Sequence, residues 1–193
     1  MTAAIVIVPY DPAWPAEFHH LGAALRSALG NHALRIDHIG STAVPGLAAK
    51  DVIDIQVTVA SLDAEAVSAA ITPLGYQVHE GIADDHIPPG GNPSAAEWQK
   101  LFARARTGQR PAHIHVREVN RANQRYALLC RDFLRAAPST AAAYARVKEA
   151  LALLTPMDIH AYYEVKDPVC DIIIDAAERW AAASDYAPGP SDV

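Results

Sequence analysis

Apolar and polar positions follow two different periods along the chain, and each period predicts its own type of element. Apolar residues at steps of three and four predict an amphipathic helix that begins at Ala16 and stops at Gly30. Asp63 is a suitable N-cap for another helix, which we expect to end near Leu74. Short stretches rich in β-branched residues are typical of strands, and they lie at Ala3 to Val8, Leu34 to Ile39, Val52 to Val59, Tyr76 to His79 and Ala112 to Glu118.

The last third of the chain has the period of helices. One helix is predicted from Asn123, a second from Pro138 and a third from Pro156, and Pro168 is expected to kink or divide the third. The pattern therefore predicts an α+β fold, in which helices flank a mixed β-sheet and a helical C-terminal third packs on it. We expect one domain over residues 1–183 and a disordered tail over residues 184–193.

Composition limits the classes of partner. The 193 residues are 51% hydrophobic, which suits one domain with a real core. Because 16 basic and 22 acidic residues give a net charge of -6 without a dense basic run, we expect no long nucleic acid as a partner, whereas a small nucleotide is compatible with this charge. No apolar run reaches the ~20 residues of a membrane span and no signal peptide is evident, so we expect a cytoplasmic protein without a membrane partner. Composition leaves the oligomeric state open.

A glycine-serine pair and a carboxylate lie at successive predicted strands. Gly40 and Ser41 follow the first of these strands, where backbone amides and a hydroxyl can approach a phosphate closely. Alternation along the next strand puts Asp54 and Gln56 on one face and its apolar residues on the other. A carboxylate in that place can hold Mg²⁺ against phosphate oxygens. The alternative is a simple turn followed by an ordinary edge carboxylate.

A second cluster lies on the last predicted strand. His113, His115 and Arg117 share one face by the same alternation. Two neutral imidazoles can ligate one metal ion, or one of them can act as an acid or base near neutral pH. A solvated strand face is the alternative. The loop from Gly81 to Pro93 carries Asp85 and His86, which suit either a lid over a cleft or a polar surface loop.

Five segments follow one another in the order known from a protein family. They are Val8 to Trp14, Asp37 to Lys50 with Asp54, His113 to Val116, Arg131 to Arg135, and Tyr162 with Lys166. Together they resemble the GrpB family over nearly the whole chain. That family is grouped with the nucleotidyltransferase superfamily, and in some bacteria a similar domain is fused to dephospho-coenzyme A kinase.

The resemblance implies a small core in which a Gly-Ser pair heads a short helix and catalytic carboxylates lie on adjacent strands. It assigns Gly40 and Ser41 to the phosphate and Asp54 to the first metal-binding carboxylate. The second acidic position is Gln56 here, so the chain departs at this point from a site that holds two metals with paired carboxylates. If the two strand histidines take that place, the site suits a transition metal better than Mg²⁺.

The resulting hypothesis is a nucleotidyltransferase-like enzyme that binds a nucleotide or phosphorylated metabolite and transfers a nucleotidyl group with a divalent metal, either Mg²⁺ or a transition metal. Asp54 and His115 are the predicted catalytic residues, with His115 as general base. The predicted metal ligands are Asp54, His113 and His115. The residues predicted to bind phosphate or other parts of the ligand are His38, Gly40, Ser41, Thr42, Lys50, Gln56, Arg117, Arg131 and Lys166.

Two other classes of function stay open. A binding module without turnover is favoured by Gln56 at the second acidic position. A metal-dependent hydrolase would use Asp54, His113 and His115, with His86 as an added ligand. We expect Asp54, Gln56, His113 and His115 to line one cleft, because the apolar residues that alternate with them on both strands must face the same core.

Overall fold

Five strands form one mixed sheet in a computed structural model that describes residues 4–193. The strands are β1 (Arg35–Ile39), β2 (Ile53–Val59), β3 (Tyr76–Val78), β4 (Leu101–Ala105) and β5 (Ala112–Glu118). Their order across the sheet is β1-β2-β5-β4-β3. The central pair, β2 and β5, is parallel, and the other three pairs are antiparallel. The predicted α+β class with a mixed sheet is confirmed.

Two details of the strand prediction differ from the structure. The apolar pattern does not predict β4, because this strand is short and carries Arg104 within it. Of the predicted first strand, Ala3 lies outside the described residues, and the rest makes a single backbone bridge between Val8 and Ala49. Pro9 follows directly and cannot donate to a ladder, so pairing ends there.

Five α-helices surround the sheet, and their bounds follow the sequence signals closely. They are α1 (Trp14–Leu29), α2 (Ala64–Ile71), α3 (Ala122–Ala136), α4 (Pro138–Leu154) and α5 (Ile159–Ser184). Asp63 caps α2 by accepting from the Ala66 amide at 2.9 Å. The last helix begins at Ile159 with Asp158 as N-cap, not at Pro156. It is not divided at Pro168, since the carbonyl that loses its partner there belongs to exposed Glu164 and can be hydrated.

The two faces of the sheet differ in chemistry. One face is apolar and packs on α1, where Phe18, Ile36 and Ile55 belong to the main hydrophobic core. The other face carries the polar residues of β2 and β5 and turns toward the helical C-terminal third. Gln56, for example, donates to the Gln124 carbonyl of α3 at 3.1 Å. Within the described residues, no helix combines the length and apolarity that crossing a bilayer requires.

The C-terminal tail differs from the predicted disorder. The Ser191 hydroxyl and the Asp192 carboxylate accept from the Ile36 and His38 amides of β1, each at 2.9 Å. The Asp192 and Val193 amides in turn donate to the Ile36 carbonyl at 3.2 Å. β1 is an edge strand, so its outer backbone groups need partners, and the tail supplies them. Composition alone does not indicate this pairing.

Candidate functional site

A cavity of about 670 Å³ lies between the polar face of the sheet and the three C-terminal helices. Its wall includes the turn after β1, the polar ends of β2, β4 and β5, part of the loop from Gly81 to Pro93, and one side each of α3, α4 and α5. Among the predicted site residues, the structure brings Asp54, His113 and His115 together in this wall. The parallel register of β2 and β5 aligns Asp54 directly with His113.

Asp54 is the centre of a three-residue cluster. Its Oδ1 lies 3.1 Å from Nδ1 of His113 and 3.6 Å from Nε2 of His115. One ligand atom from each of the three residues lies within 4.8 Å of the other two. One carboxylate and two imidazoles at this separation can converge on a single metal ion.

Burial and hydrogen bonding set the protonation states in this cluster. Burial opposes the charge of Asp54, but hydrogen bonds from His113 and His115 outweigh it and hold the Asp54 pKa below its usual range. Burial, together with nearby Arg117, lowers the pKa of His115 to about 4, despite the attraction of Asp54. His115 is therefore neutral at pH 7 and a weak base, which makes it poorly suited to the predicted role of general base. An ionised Asp54 can only accept, so Nδ1 of His113 is the hydrogen-bond donor of this pair.

Gly40 brings the turn after β1 against this cluster. Its backbone has φ +69° and ψ -169°, a region that glycine alone adopts readily. A Cβ at this position would lie 2.5 Å from Oδ2 of Asp54. The glycine is therefore needed both for the turn and for its close approach to the carboxylate. Ser41 begins the short 3₁₀ turn Ser41–Ala43 immediately beside it.

Lys148 is a site residue that the sequence analysis missed. It lies on α4 and is only 3% exposed. Its ammonium group donates to Ser41 Oγ at 2.8 Å and to the Ala48 carbonyl at 2.5 Å. Burial and the nearby Lys166 lower its pKa to about 7. The available signal was its position four residues after Tyr144 and three before Leu151, on the apolar stripe of the helix.

Two predicted lysines contribute charge to the same cavity. The Lys50 ammonium lies 4.3 Å from the ring centroid of Tyr162, and burial together with Lys166 lowers the Lys50 pKa. Lys166 on α5 lies 3.4 Å from Asp167 and 3.6 Å from the sulfur of Cys170. Cys170 is a free, partly buried thiol on the cavity wall. These residues make one side of the cavity cationic and aromatic.

The loop carboxylate Asp85 is tied firmly to the sheet. It accepts from Nε of Arg117 at 2.7 Å and from the Lys100 ammonium at 2.6 Å. Burial raises the Asp85 pKa, but these two cations outweigh burial and the net shift is downward. Arg117 also donates to Oε1 of Gln56 at 2.7 Å. The loop is therefore held by a buried ion-pair network, and Asp85 is neither a solvated surface residue nor an unattached lid.

Four predicted ligand-binding residues have structural partners instead. His38 lies on the opposite face of the sheet, where its ring stacks on Phe18 at a centroid distance of 4.7 Å. Thr42 is buried and its hydroxyl lies 3.0 Å from the His38 ring. Gln56 is fully buried with both ends of its amide bonded to protein, so it does not line the cavity as predicted. Arg131 is bonded to Asp132, Asp192 and the His38 carbonyl, which leaves little of its guanidinium for a ligand.

The fold is of the nucleotidyltransferase-like α+β class. Terminal uridylyl transferase 4 from Trypanosoma brucei, solved with bound dUTP, has this fold in common with the chain, with a TM-score of 0.50 over 90% of this chain and 56% of that one. At 11% sequence identity the likeness concerns the fold alone.

The chain belongs to the GrpB family, since the family model described as GrpB protein matches residues 4–176. The crystal structure of the conserved protein GrpB from Enterococcus faecalis superposes with a TM-score of 0.74 at 28% identity, covering 91% of this chain and 99% of that one. A UPF0157 protein from Pseudomonas aeruginosa is 38% identical over 90% of this chain and 67% of its own length.

Longer relatives also match. A dephospho-CoA kinase from Mycolicibacterium paratuberculosis is 37% identical over 96% of this chain but only 49% of its own length. The corresponding protein from Mycobacterium bovis is 36% identical over 94% of this chain and 48% of its own length. The chain thus spans about half the length of these kinases.

Proposed function

We propose that the cavity binds the phosphate groups of a nucleotide or another phosphorylated small molecule. The observation that supports this proposal is Lys148, a buried lysine bonded to Ser41 beside the Gly40 turn, whose ammonium form has no charged partner. Buried charges in proteins are normally paired with an opposite charge. Within residues 4–193, Lys148 has no carboxylate within the 4.0 Å of an ion pair, so an anion at the Gly40–Ser41 turn would supply the missing partner.

Other cations support an anionic ligand. Lys50 and Arg104 also line the cavity, and neither has a carboxylate within 4.0 Å in the described part of the chain. The chain as a whole carries a net charge of -6, so this concentration of unpaired positive charge is local to the cavity. The aromatic rings of Tyr162 and Tyr163 beside Lys50 add apolar surface for the organic part of such a molecule.

Nucleotidyl transfer is the reaction that we propose for this site. The fold in common with a uridylyl transferase supports this class, and the cavity has the cations that phosphoryl chemistry requires. His113 is the better candidate for the general base, because Asp54 bonds to its Nδ1 and so orients its ring. Since some relatives are named dephospho-CoA kinase, coenzyme A precursors belong among the candidate ligands.

A two-metal site with paired carboxylates does not fit these residues. Gln56 occupies the second acidic position and is held by Arg117 and Gln124, so no second carboxylate adjoins Asp54 on β2. These residues therefore do not fit a pair of magnesium ions. The donor set of Asp54, His113 and His115 fits one transition-metal ion such as Zn²⁺ instead, and with that ion bound His113 would be a ligand and not the general base. The same donor set favours metal-dependent hydrolysis as the second candidate function.

Pyrophosphate binding, measured by isothermal titration calorimetry, tests the phosphate proposal. We expect Lys148→Met to weaken binding roughly tenfold or more, because a charge-assisted hydrogen bond is lost. Arg146→Met is the matched control, since Arg146 lies two residues earlier on α4 and is exposed, and it should bind like the wild type. Equal affinity of the Lys148 variant and the wild type, or no binding of pyrophosphate at all, would contradict the proposal.

Metal binding is tested on Asp54. Asp54→Asn should lower the affinity for Zn²⁺ or Co²⁺ at least tenfold, since the variant loses the charged ligand of the cluster. Asp63→Asn is the control, because asparagine caps a helix as well as aspartate does and α2 begins outside the cavity. Titration with Co²⁺, followed by its visible absorbance, gives the affinities. A wild type that binds neither ion would exclude the single-metal site and leave the phosphate proposal intact.

A further inference from the structure

Asn123 has an unused hydrogen-bond acceptor in the wall of the cavity. The residue lies near the start of α3 and is 1% exposed. Among residues 4–193, its Oδ1 is the one buried side-chain nitrogen or oxygen atom without a hydrogen-bond partner. A buried acceptor without a donor is costly, and such atoms are rare in folded proteins. The atom therefore calls for a partner that the chain itself does not supply.

The orientation of the Asn123 amide is determined by its neighbours. Nδ2 donates to Oδ2 of Asp85 at 3.1 Å and to the Gln99 carbonyl at 2.9 Å. Both neighbours are acceptors, so an amide turned by 180° would set an oxygen against two oxygens. The free atom is thus the carbonyl oxygen, and the group it can bind is a hydrogen-bond donor.

We propose that Asn123 is a specificity residue that accepts a hydrogen bond from an N–H or O–H group of the molecule bound in the cavity. The proposal rests on the proposed function in taking that molecule to be a nucleotide. Asn123 is one of the residues that line the cavity. Asp85 fixes the amide from the other side, and Asp85 is itself held by Arg117 and Lys100. The acceptor is therefore positioned before any ligand arrives.

The surroundings of Asn123 suit the nucleoside part of a nucleotide. Tyr126 lies three residues further along α3, on the same side of the helix, and also lines the cavity. Its ring meets that of Trp98 edge to face, at a centroid distance of 6.3 Å. Aromatic surface beside a fixed acceptor suits a flat base that carries an amino or ring N–H group, or a ribose that carries hydroxyls.

Binding of nucleosides to the wild type and two variants tests this role. The probes are adenosine, cytidine, guanosine and uridine, measured by calorimetry, followed by analogues of any nucleoside that binds. For adenosine, these analogues are purine riboside, which lacks the amino group, and the 2′-deoxy and 3′-deoxy forms. Asn123→Ala removes the acceptor. Gln124→Ala removes the adjacent buried amide, which bonds to Thr58 and does not line the cavity, and it controls for loss of packing.

We expect Asn123→Ala to weaken binding of at least one nucleoside roughly three- to tenfold, while Gln124→Ala leaves that affinity unchanged. One analogue, lacking the group that Asn123 binds, should bind the wild type and Asn123→Ala equally. The identity of that analogue distinguishes a base N–H from a ribose hydroxyl. If Asn123→Ala does not fold, the wild type alone decides the question through its preference for the nucleoside over that analogue.

Two results would overturn the proposal. In the first, the wild type binds each nucleoside and all of its analogues with the same affinity. In the second, the wild type binds no nucleoside. Pyrophosphate binding without nucleoside binding would overturn the role of Asn123 and leave the phosphate proposal standing. Nucleoside binding that depends on Asn123, without pyrophosphate binding, would overturn the phosphate proposal alone.

Discussion

At the scale of single residues, the cavity differs from an ordinary polar surface in how its charges are paired. Asp85 is neutralised by Arg117 and Lys100 within hydrogen-bond distance. Lys148 is as deeply buried as these residues, yet its partners are a hydroxyl and a carbonyl, which carry no charge. In the first arrangement opposite charges offset the cost of burying each other, whereas the burial of the Lys148 charge stays uncompensated until an anion binds. Lys148 should therefore have a measurable effect on stability.

The pH dependence of unfolding tests this cost. The pKa of Lys148 is about 7 in the folded protein, against an ordinary value of 10.5. Between these values the unfolded chain binds more protons, so the free energy of unfolding rises as the pH increases. From pH 7 to pH 9 the wild type should gain about 2 kcal/mol relative to Lys148→Met. Urea unfolding at both pH values, in buffers free of phosphate, provides the measurement.

Arg146→Met is again the control, because an exposed guanidinium does not titrate in this range. It should follow the wild type at both pH values. A Lys148→Met variant whose stability changes with pH as much as that of the wild type would show that Lys148 is not the group responsible.

At the scale of elements, the connection from β1 to β2 is what joins the phosphate turn to the carboxylate. Gly40 has a glycine-specific conformation and no room for a Cβ beside Asp54. Gly46, later in the same connection, also has positive φ, at +79°, but a Cβ added there would meet no atom within 4 Å. A comparison of substitutions at the two glycines therefore distinguishes the cost of backbone strain from the cost of steric conflict with Asp54.

Alanine at each glycine measures that difference. Gly46→Ala should cost about 1–2 kcal/mol of unfolding free energy, the usual cost of the left-handed region for alanine. Gly40→Ala should cost roughly 3 kcal/mol, because its backbone region is more restricted and its Cβ meets the Asp54 carboxylate. Gly40→Ala should also weaken Co²⁺ binding, which Gly46→Ala should leave intact. Equal destabilisation by the two substitutions, with metal affinity unaffected, would refute the steric argument.

Element-scale patterns also explain which features the sequence predicts. Strand alternation depends only on local geometry, so it correctly placed Asp54 on the polar face of β2, and His113 with His115 on the polar face of β5. Side-chain pairing is not local. Gln56 and Arg117 lie 61 positions apart, and only the parallel register of β2 and β5 brings them into contact. The burial of Lys148 could not be predicted for another reason. A lysine on a helix is usually solvated, and periodicity alone does not identify a buried one.

At the scale of the whole molecule, the cavity exists because the sheet separates two different layers. Its apolar face packs against α1, while its polar face meets α3 through buried polar contacts, which include the bond from Gln56 to the Gln124 carbonyl and the Arg131–Asp37 pair. The C-terminal tail joins these layers at the outer edge of the sheet. Asp192 bonds to the His38 amide of β1 and to Arg131 of α3, and Val193 packs against the core beside α1.

Removal of residues 189–193 tests how much this tail contributes. The truncated chain should lose about 2–3 kcal/mol of unfolding free energy, since several backbone groups of β1 lose their partners and Val193 leaves the core. Asp192→Asn should lower the free energy of unfolding by less, because Arg131 keeps Asp132 as its charged partner.

Pyrophosphate affinity of the folded truncated chain should stay near that of the wild type, since the tail does not line the cavity. Urea unfolding and calorimetry on the same samples distinguish the two effects. An unchanged urea midpoint would mean that β1 does not depend on the tail, and a lost affinity in a stable truncated chain would mean that the tail supports the cavity through Arg131.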